Sequence, residues 1–239
     1  MSAVFSASGP LLFRPLFESV SCTFTYLLAD KLSKEAIIID PVLETVDRDS
    51  KLISDLGLKL SYIINTHVHA DHVTGSGLLK KRFPGSQSVL GNYKDVLADM
   101  KLKHGSSLNF GQFEVEFRST PGHTSDCMTL VLPSAELAFT GDTLLIRGCG
   151  RTDFQNGSPE KLYDSVHSQI FSLPEHFLLL PAHNYTGQMV TSVGEEKRLN
   201  PRLTLSKEKF VQTMNSLKLD LPKQFDRAIR LNVVCGIEN

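Results

Sequence analysis

The chain has 239 residues, 41% of them hydrophobic, which suits one domain with a sizeable core or one domain with a short extension. A formal net charge of −1 with no basic block sets aside nucleic acid and anionic membrane surfaces as partners. No apolar run approaches the roughly 20 residues of a spanning helix, so membrane insertion is not expected.

The first basic residue is Arg14. Met1 to Phe13 therefore match a mitochondrial transit peptide only weakly and lack the basic start of a secretory signal. Residues 1–10 are read as a flexible N-terminus. Thr23 to Ala29 alternates as a strand, and Ala36 to Ile39 is a buried β-branched strand stopped by Asp40-Pro41. Thr45 to Leu56 places Val46, Leu52, Ile53 and Leu56 on one helical face, with Gly57 beyond its end. Leu60 to Asn65 is a second buried strand, and Val73 to Arg82 reads as a helix ended by Phe83-Pro84-Gly85. Phe113 to Ser119 alternates and leads into the turn Pro121-Gly122. Cys127 to Leu132 and Glu136 to Thr140 form a strand pair around Pro133-Ser134. A helix from Ser158 to Ile170 has Pro159 in its first turn, where a missing N–H costs nothing. Phe177 to Leu180 is a last strand, and Ser206 to Leu217 an amphipathic helix. Interleaved strands and helices give an α/β or α+β class with helices covering sheets. The four cysteines, Cys22, Cys127, Cys149 and Cys235, show no CxxC spacing and read as reduced thiols of an intracellular protein.

Four segments carry chemistry, and each puts metal-ligand side chains just after a strand. His67, His69, Asp71 and His72 fall within six residues, and they hold three of the eight histidines. Side chains repeat every second residue in extended backbone, so His67 and His69 can point the same way. The other segments are Gly122-His123, Gly141-Asp142 and Ala182-His183. Each alone would read as a loop histidine or a turn aspartate. Their common placement makes the set specific. A catalytic metal needs about three protein ligands and open positions. Two imidazoles and a carboxylate suit iron(II), whereas the full set could hold two zinc ions, and the ligand types do not choose. His104 and His176 read as exposed loop residues, and His167 as a packed or surface helix residue.

In their order, His67-x-His69-x-Asp71-His72, His123, Asp142 and His183 resemble the metallo-β-lactamase superfamily over about residues 11–200. That resemblance implies an α+β fold, a four-layer αβ/βα sandwich with metal at one edge of two packed sheets. The chain would be one such domain over 1–239, with about 200–239 a C-terminal extension. Ala138 to Asp142 running into Leu145 to Phe154, with Val193 to Glu196 and Asn200 to Thr204, is similar to the persulfide dioxygenases of the glyoxalase II-like group. This resemblance implies one iron(II) per chain on His67, His123 and Asp142. It implies oxidation of glutathione persulfide with O2 to sulfite and glutathione in sulfide catabolism. His69, Asp71, His72 and His183 are then expected to stay free of metal as hydrogen-bond partners around the site. Tyr185 and Arg151 are candidate substrate-binding groups, with an Arg151–Asp153 ion pair that ties down a loop as the alternative for the arginine. A homodimer is the candidate oligomer, and the mitochondrial matrix the implied compartment, with the cytoplasm as the alternative.

Asn184 stands where the family commonly has aspartate, and the segments 91–105 and 227–232 depart from the family pattern. A glyoxalase II-like dinuclear hydrolase of a glutathione thioester is the alternative function, disfavoured by the short stretch, residues 184–239, after His183. A non-catalytic degenerate binding protein is the third reading.

Overall fold

The computed structural model describes residues 9–91 and 96–237. Apart from residues 9 and 10, the expected flexible N-terminus lies outside them, as does part of the divergent segment 91–105. Two six-stranded sheets make up the centre. The first runs, in spatial order, β1 (Leu11–Glu18), β2 (Thr23–Asp30), β3 (Glu35–Ile39), β4 (Lys59–Ile64), β5 (Gln87–Gly91) and β6 (Met100–Leu102). The second runs β7 (Ser106–Phe110), β8 (Phe113–Ser119), β9 (Met128–Leu132), β10 (Leu137–Gly141), β11 (Leu178–Pro181) and β12 (Thr191–Ser192).

The inner faces meet in an aromatic and branched core. Phe13, Tyr26, Ile37 and Ile39 pack against Phe117, Leu130 and Phe139, with the Tyr26 and Phe139 rings 5.1 Å apart. The outer faces are apolar too. On the first sheet Leu27, Ile38 and Ile63 lie under Val46 and Ile53 of α1 (Val46–Asp55) and Leu79 of α2 (Ser76–Arg82). On the second, Val131, Ala138 and Leu179 lie under Leu162 of α3 (Pro159–Ser165) and Val166 and Ile170 of the π turn that prolongs it. Burial on both faces explains why the central strands read as unbroken hydrophobic runs rather than alternating ones. The result is the expected helix–sheet–sheet–helix sandwich.

Beyond α4 (Val193–Leu199), the expected C-terminal extension packs back on the body. Phe210 and Met214 of α5 (Lys207–Ser216) join the second outer cluster, and α6 (Phe225–Asn232) buries Ala228 and Leu231.

Two differences from the sequence reading have identifiable physical causes. The strand β1 contains Pro15, which would break a central ladder; it survives because β1 is an edge strand. The helix expected from Val73 starts only at Ser76. The amide of Thr74 donates to Asn232 Oδ1 and that of Gly75 to Pro41 O, so the chain is held outward before the helix can begin.

Candidate metal centre

All four ligand segments leave the carboxyl ends of strands at one edge of the sandwich. The strand β4 delivers His67 to His72, β8 delivers His123, β10 delivers Asp142 and β11 delivers His183. Backbone bonds join the two sheets there: Met128 N donates to Thr66 O at 2.9 Å and Phe24 N to Ala182 O at 2.7 Å. Close backbone approach is built in. A Cβ on Gly150 would lie 2.4 Å from Asp142 O and 2.8 Å from the His123 ring, and Gly141 takes a φ of +52° beside Thr66.

The side chains fall into two groups, His67–His123–Asp142 and His69–Asp71–His72–His183. Within each, one nitrogen or oxygen per residue lies within 4.8 Å of all the others. The groups adjoin at Asp142, whose Oδ2 is 3.6 Å from His123 Nε2 and whose Oδ1 is 3.6 Å from His183 Nε2.

The first group fits a metal ion. His123 Nδ1 donates to Arg151 O at 2.7 Å, which leaves the Nε2 lone pair facing Asp142. His67 Nδ1 lies 3.0 Å from Thr66 Oγ1, which itself donates to Asp40 Oδ2. Asp142 Oδ1 is buried without a hydrogen-bond partner among the described residues. Burial, reinforced by the neighbouring His69 and His123, pushes the His67 imidazole well below its ordinary pKa, so it is neutral, as a ligand must be.

The second group is more tied to itself. His69 Nε2 contacts Asp40 Oδ1 at 3.0 Å, and burial with His72 nearby holds this ring neutral as well. Asp71 Oδ2 accepts from His72 Nδ1 at 3.1 Å and lies 3.5 Å from His183 Nε2. Burial alone would raise the Asp71 pKa, but His183 and His72 outweigh it and hold the carboxyl well below its usual range. His183 shifts the other way: burial would lower it, and Asp142 and Asp71 raise it above the ordinary value. The inward nitrogens His69 Nδ1, His72 Nε2 and His183 Nε2 are nevertheless buried and unpartnered. Thr23 Oγ1 faces the outer nitrogens of His72 and His183 at 3.3 and 3.4 Å.

Of the two candidate substrate residues, Tyr185 stands exposed at the rim and makes no hydrogen bond within the described residues. Arg151 is committed to protein. Its Nε and Nη2 donate to the two Asp153 oxygens at 2.6 Å, Nη1 to Asp220 O and Nη2 to Leu219 O. Its guanidinium also lies over the Phe154 ring. Asn184 forms a turn: its Oδ1 accepts from Thr186 N, Thr186 Oγ1 and Gln188 N, work that needs an oxygen and no charge. His104 and His176 are exposed, and His167 stacks on Tyr163 and reaches Leu203 O.

Four residues that no motif pointed to also shape the site. Asp40 accepts from Thr66 N and Thr66 Oγ1 and meets His69, at a strained φ of +50°. Asp126 Oδ2 accepts from Val68 N, Gln155 Nε2 donates to Val68 O, and Asn232 bonds the loop beyond. Asp40 had a legible signal, a carboxylate at the end of a buried strand like Asp142; Asp126, Gln155 and Asn232 had none.

The family model described as the metallo-beta-lactamase superfamily matches residues 23–203. The mitochondrial persulfide dioxygenase ETHE1 of Homo sapiens is 55% identical over 232 residues, covering 97% of this chain and 91% of that one. The crystal structure of ETHE1 from Myxococcus xanthus superposes with a TM-score of 0.91 at 44% identity, over 95% of this chain and all of that one. The hydroxyacylglutathione hydrolase of Brucella ovis is 37% identical over 134 residues, 54% of this chain and 50% of its own.

Proposed function

The chain belongs to the metallo-β-lactamase superfamily and within it to the persulfide dioxygenases, and from that premise we propose that it oxidises glutathione persulfide with O2 at one iron(II) held by His67, His123 and Asp142. One observation carries the choice of metal and site. Two imidazoles and one carboxylate converge from three separate strand ends, the donor set of non-haem iron(II) oxygenases with open positions left for substrate and O2. When bound, the iron supplies the redox chemistry that joins dioxygen to the outer persulfide sulfur. Sulfite carries one oxygen more than O2 provides, so water supplies the third and glutathione leaves as the thiol.

The protein's part is geometric. The bonds His123 Nδ1–H to Arg151 O and His67 Nδ1 to Thr66 Oγ1 fix both rings with Nε2 toward the centre. Phe154 gives the site an apolar neighbour, its ring 6.1 Å from that of His123. The second group surrounds the iron without binding it. Asp71 is paired inward with His72 and His183, so its carboxylate charge is already spent on those histidines. Tyr185, with an uncommitted hydroxyl at the rim, is the substrate contact. Arg151, bound to Asp153 and to the 219–220 backbone, shapes the loop that holds His123. The relative's mitochondrial designation supports the same compartment here. No helix among the described residues is long and apolar enough to cross a membrane.

Elemental analysis of the purified protein together with oxygen uptake on glutathione persulfide tests this reading. About one iron per chain with uptake supports it. Two metals per chain, thioester hydrolysis and no oxygen uptake would replace it with the two-metal hydrolase.

A further inference from the structure

The ligand-bearing stretch from Thr66 to Thr74 forms neither helix nor strand along most of its length, yet it is buried. Its backbone groups therefore need partners from elsewhere. The carbonyls of His69 and His72 and the amide of Thr74 all find the same one. Asn232, the last residue of α6, donates from Nδ2 to His69 O and His72 O and accepts from Thr74 N at Oδ1, each at 2.8 Å. A primary amide offers two N–H donors and one carbonyl, and here one side chain at 6% exposure uses all three on one loop.

The rest of the C-terminal segment grips the same neighbourhood. Cys235 O accepts from Gly77 N, and a Cβ on Gly236 would lie 2.1 Å from Thr74 O. Phe225, at the start of α6, meets Phe154 edge to face at 5.2 Å, and Phe154 in turn meets His123. Leu219 O and Asp220 O anchor Arg151, whose own carbonyl orients His123.

We infer that Asn232 is a positioning residue for the metal centre, and that the segment 219–236 is a strap which sets His67 to His72 against His123. The inference rests on the reading of His67, His123 and Asp142 as the iron set. It places a determinant of metal affinity 160 residues beyond the loop, in a stretch whose sequence departs from the family pattern.

The test compares Asn232→Ala, Asn232→Asp and Leu231→Ala in the full chain. Leu231 is buried in the same helix and its side chain has no hydrogen-bonding group, so its truncation costs folding energy without cutting the clamp. The aspartate variant keeps the shape and replaces both donors with acceptors facing two carbonyls. Iron dissociation constants come from chelator competition. Hydrogen exchange of amides 66–74 is followed in the metal-free protein. Both Asn232 variants should weaken iron binding by roughly 10- to 100-fold and speed exchange at Thr74. Leu231→Ala, at a similar loss of melting temperature, should stay within about twofold of wild type. If Asn232→Ala does not fold, Asn232→Ser, which keeps one donor and one acceptor, carries the comparison. Equal iron affinity in the Asn232 and Leu231 variants overturns the inference and leaves Asn232 a stability residue only. His67→Ala run alongside separates the two claims. If it keeps its iron, the ligand reading fails whatever Asn232 does; if it loses iron while the Asn232 variants keep theirs, only the positioning role fails.

Discussion

Two groups of metal-ligand side chains share one cleft and one carboxylate edge, yet they are not equivalent. In His67–His123–Asp142 the bonds of the two rings run outward, to Thr66 Oγ1 and Arg151 O, and the carboxylate is only loosely engaged. In His69–Asp71–His72–His183 the only carboxylate is engaged by two histidines of its own group. An ion entering the first group meets a carboxylate whose nearest imidazole nitrogens, on His123 and His183, stand 3.6 Å away. An ion entering the second must displace existing pairs. Ligand count alone would rank the second group higher, four against three. Where the hydrogen bonds already go reverses that ranking.

The sharpest way to break this comparison is His67→Ala. It should lower iron content from about one per chain to near zero and oxygen uptake by more than about 100-fold, since one of three ligands is lost. Unchanged iron by elemental analysis would move the metal to the other group. Next is His183→Ala. Iron should stay near one per chain while oxygen uptake falls by about 10- to 100-fold, as for partners that surround a metal without binding it. Loss of the iron itself would make the second group the site. A smaller effect is expected for Arg151→Gln, which removes the fork to Asp153 and the ties to residues 219–220. Melting temperature should fall by about 4 °C for each kcal/mol lost, with KM changed less than about twofold. A tenfold rise in KM at unchanged melting temperature would make Arg151 a substrate ligand. The smallest effect belongs to Tyr185→Phe. Losing one rim hydrogen bond of about 1 kcal/mol should raise KM roughly fivefold and leave kcat unchanged. No change in either constant would remove Tyr185 from the substrate site.

The strands beneath the site were legible because both faces of the sheets are buried, so β3, β4, β9 and β10 stand out as short apolar runs bounded by turns. The edge strand β1 was not, because Pro15 breaks its pattern and only its edge position excuses the proline. The start of α2 was misplaced because Thr74 and Gly75 are held by Asn232 and Pro41 instead of by the helix, a fact absent from any local window. The segment 227–232 illustrates the same point. Read locally it is only a departure from the family pattern, whereas in the fold its last residue bonds the ligand loop.

The sequence by itself determined the ligand types, their order and their placement after strands. These are local properties, readable from side-chain chemistry and the two-residue period of extended backbone. It also carried the superfamily resemblance, through those same residues. Only the tertiary structure decided how the seven ligand-type side chains divide into two groups, and which buried residues orient them. Asp40, Asp126 and Asn232 reach the loop across 26, 58 and 163 residues of chain. A hydrogen bond depends on distance and direction in space, and separations of that length leave no trace in the periodicity of either partner.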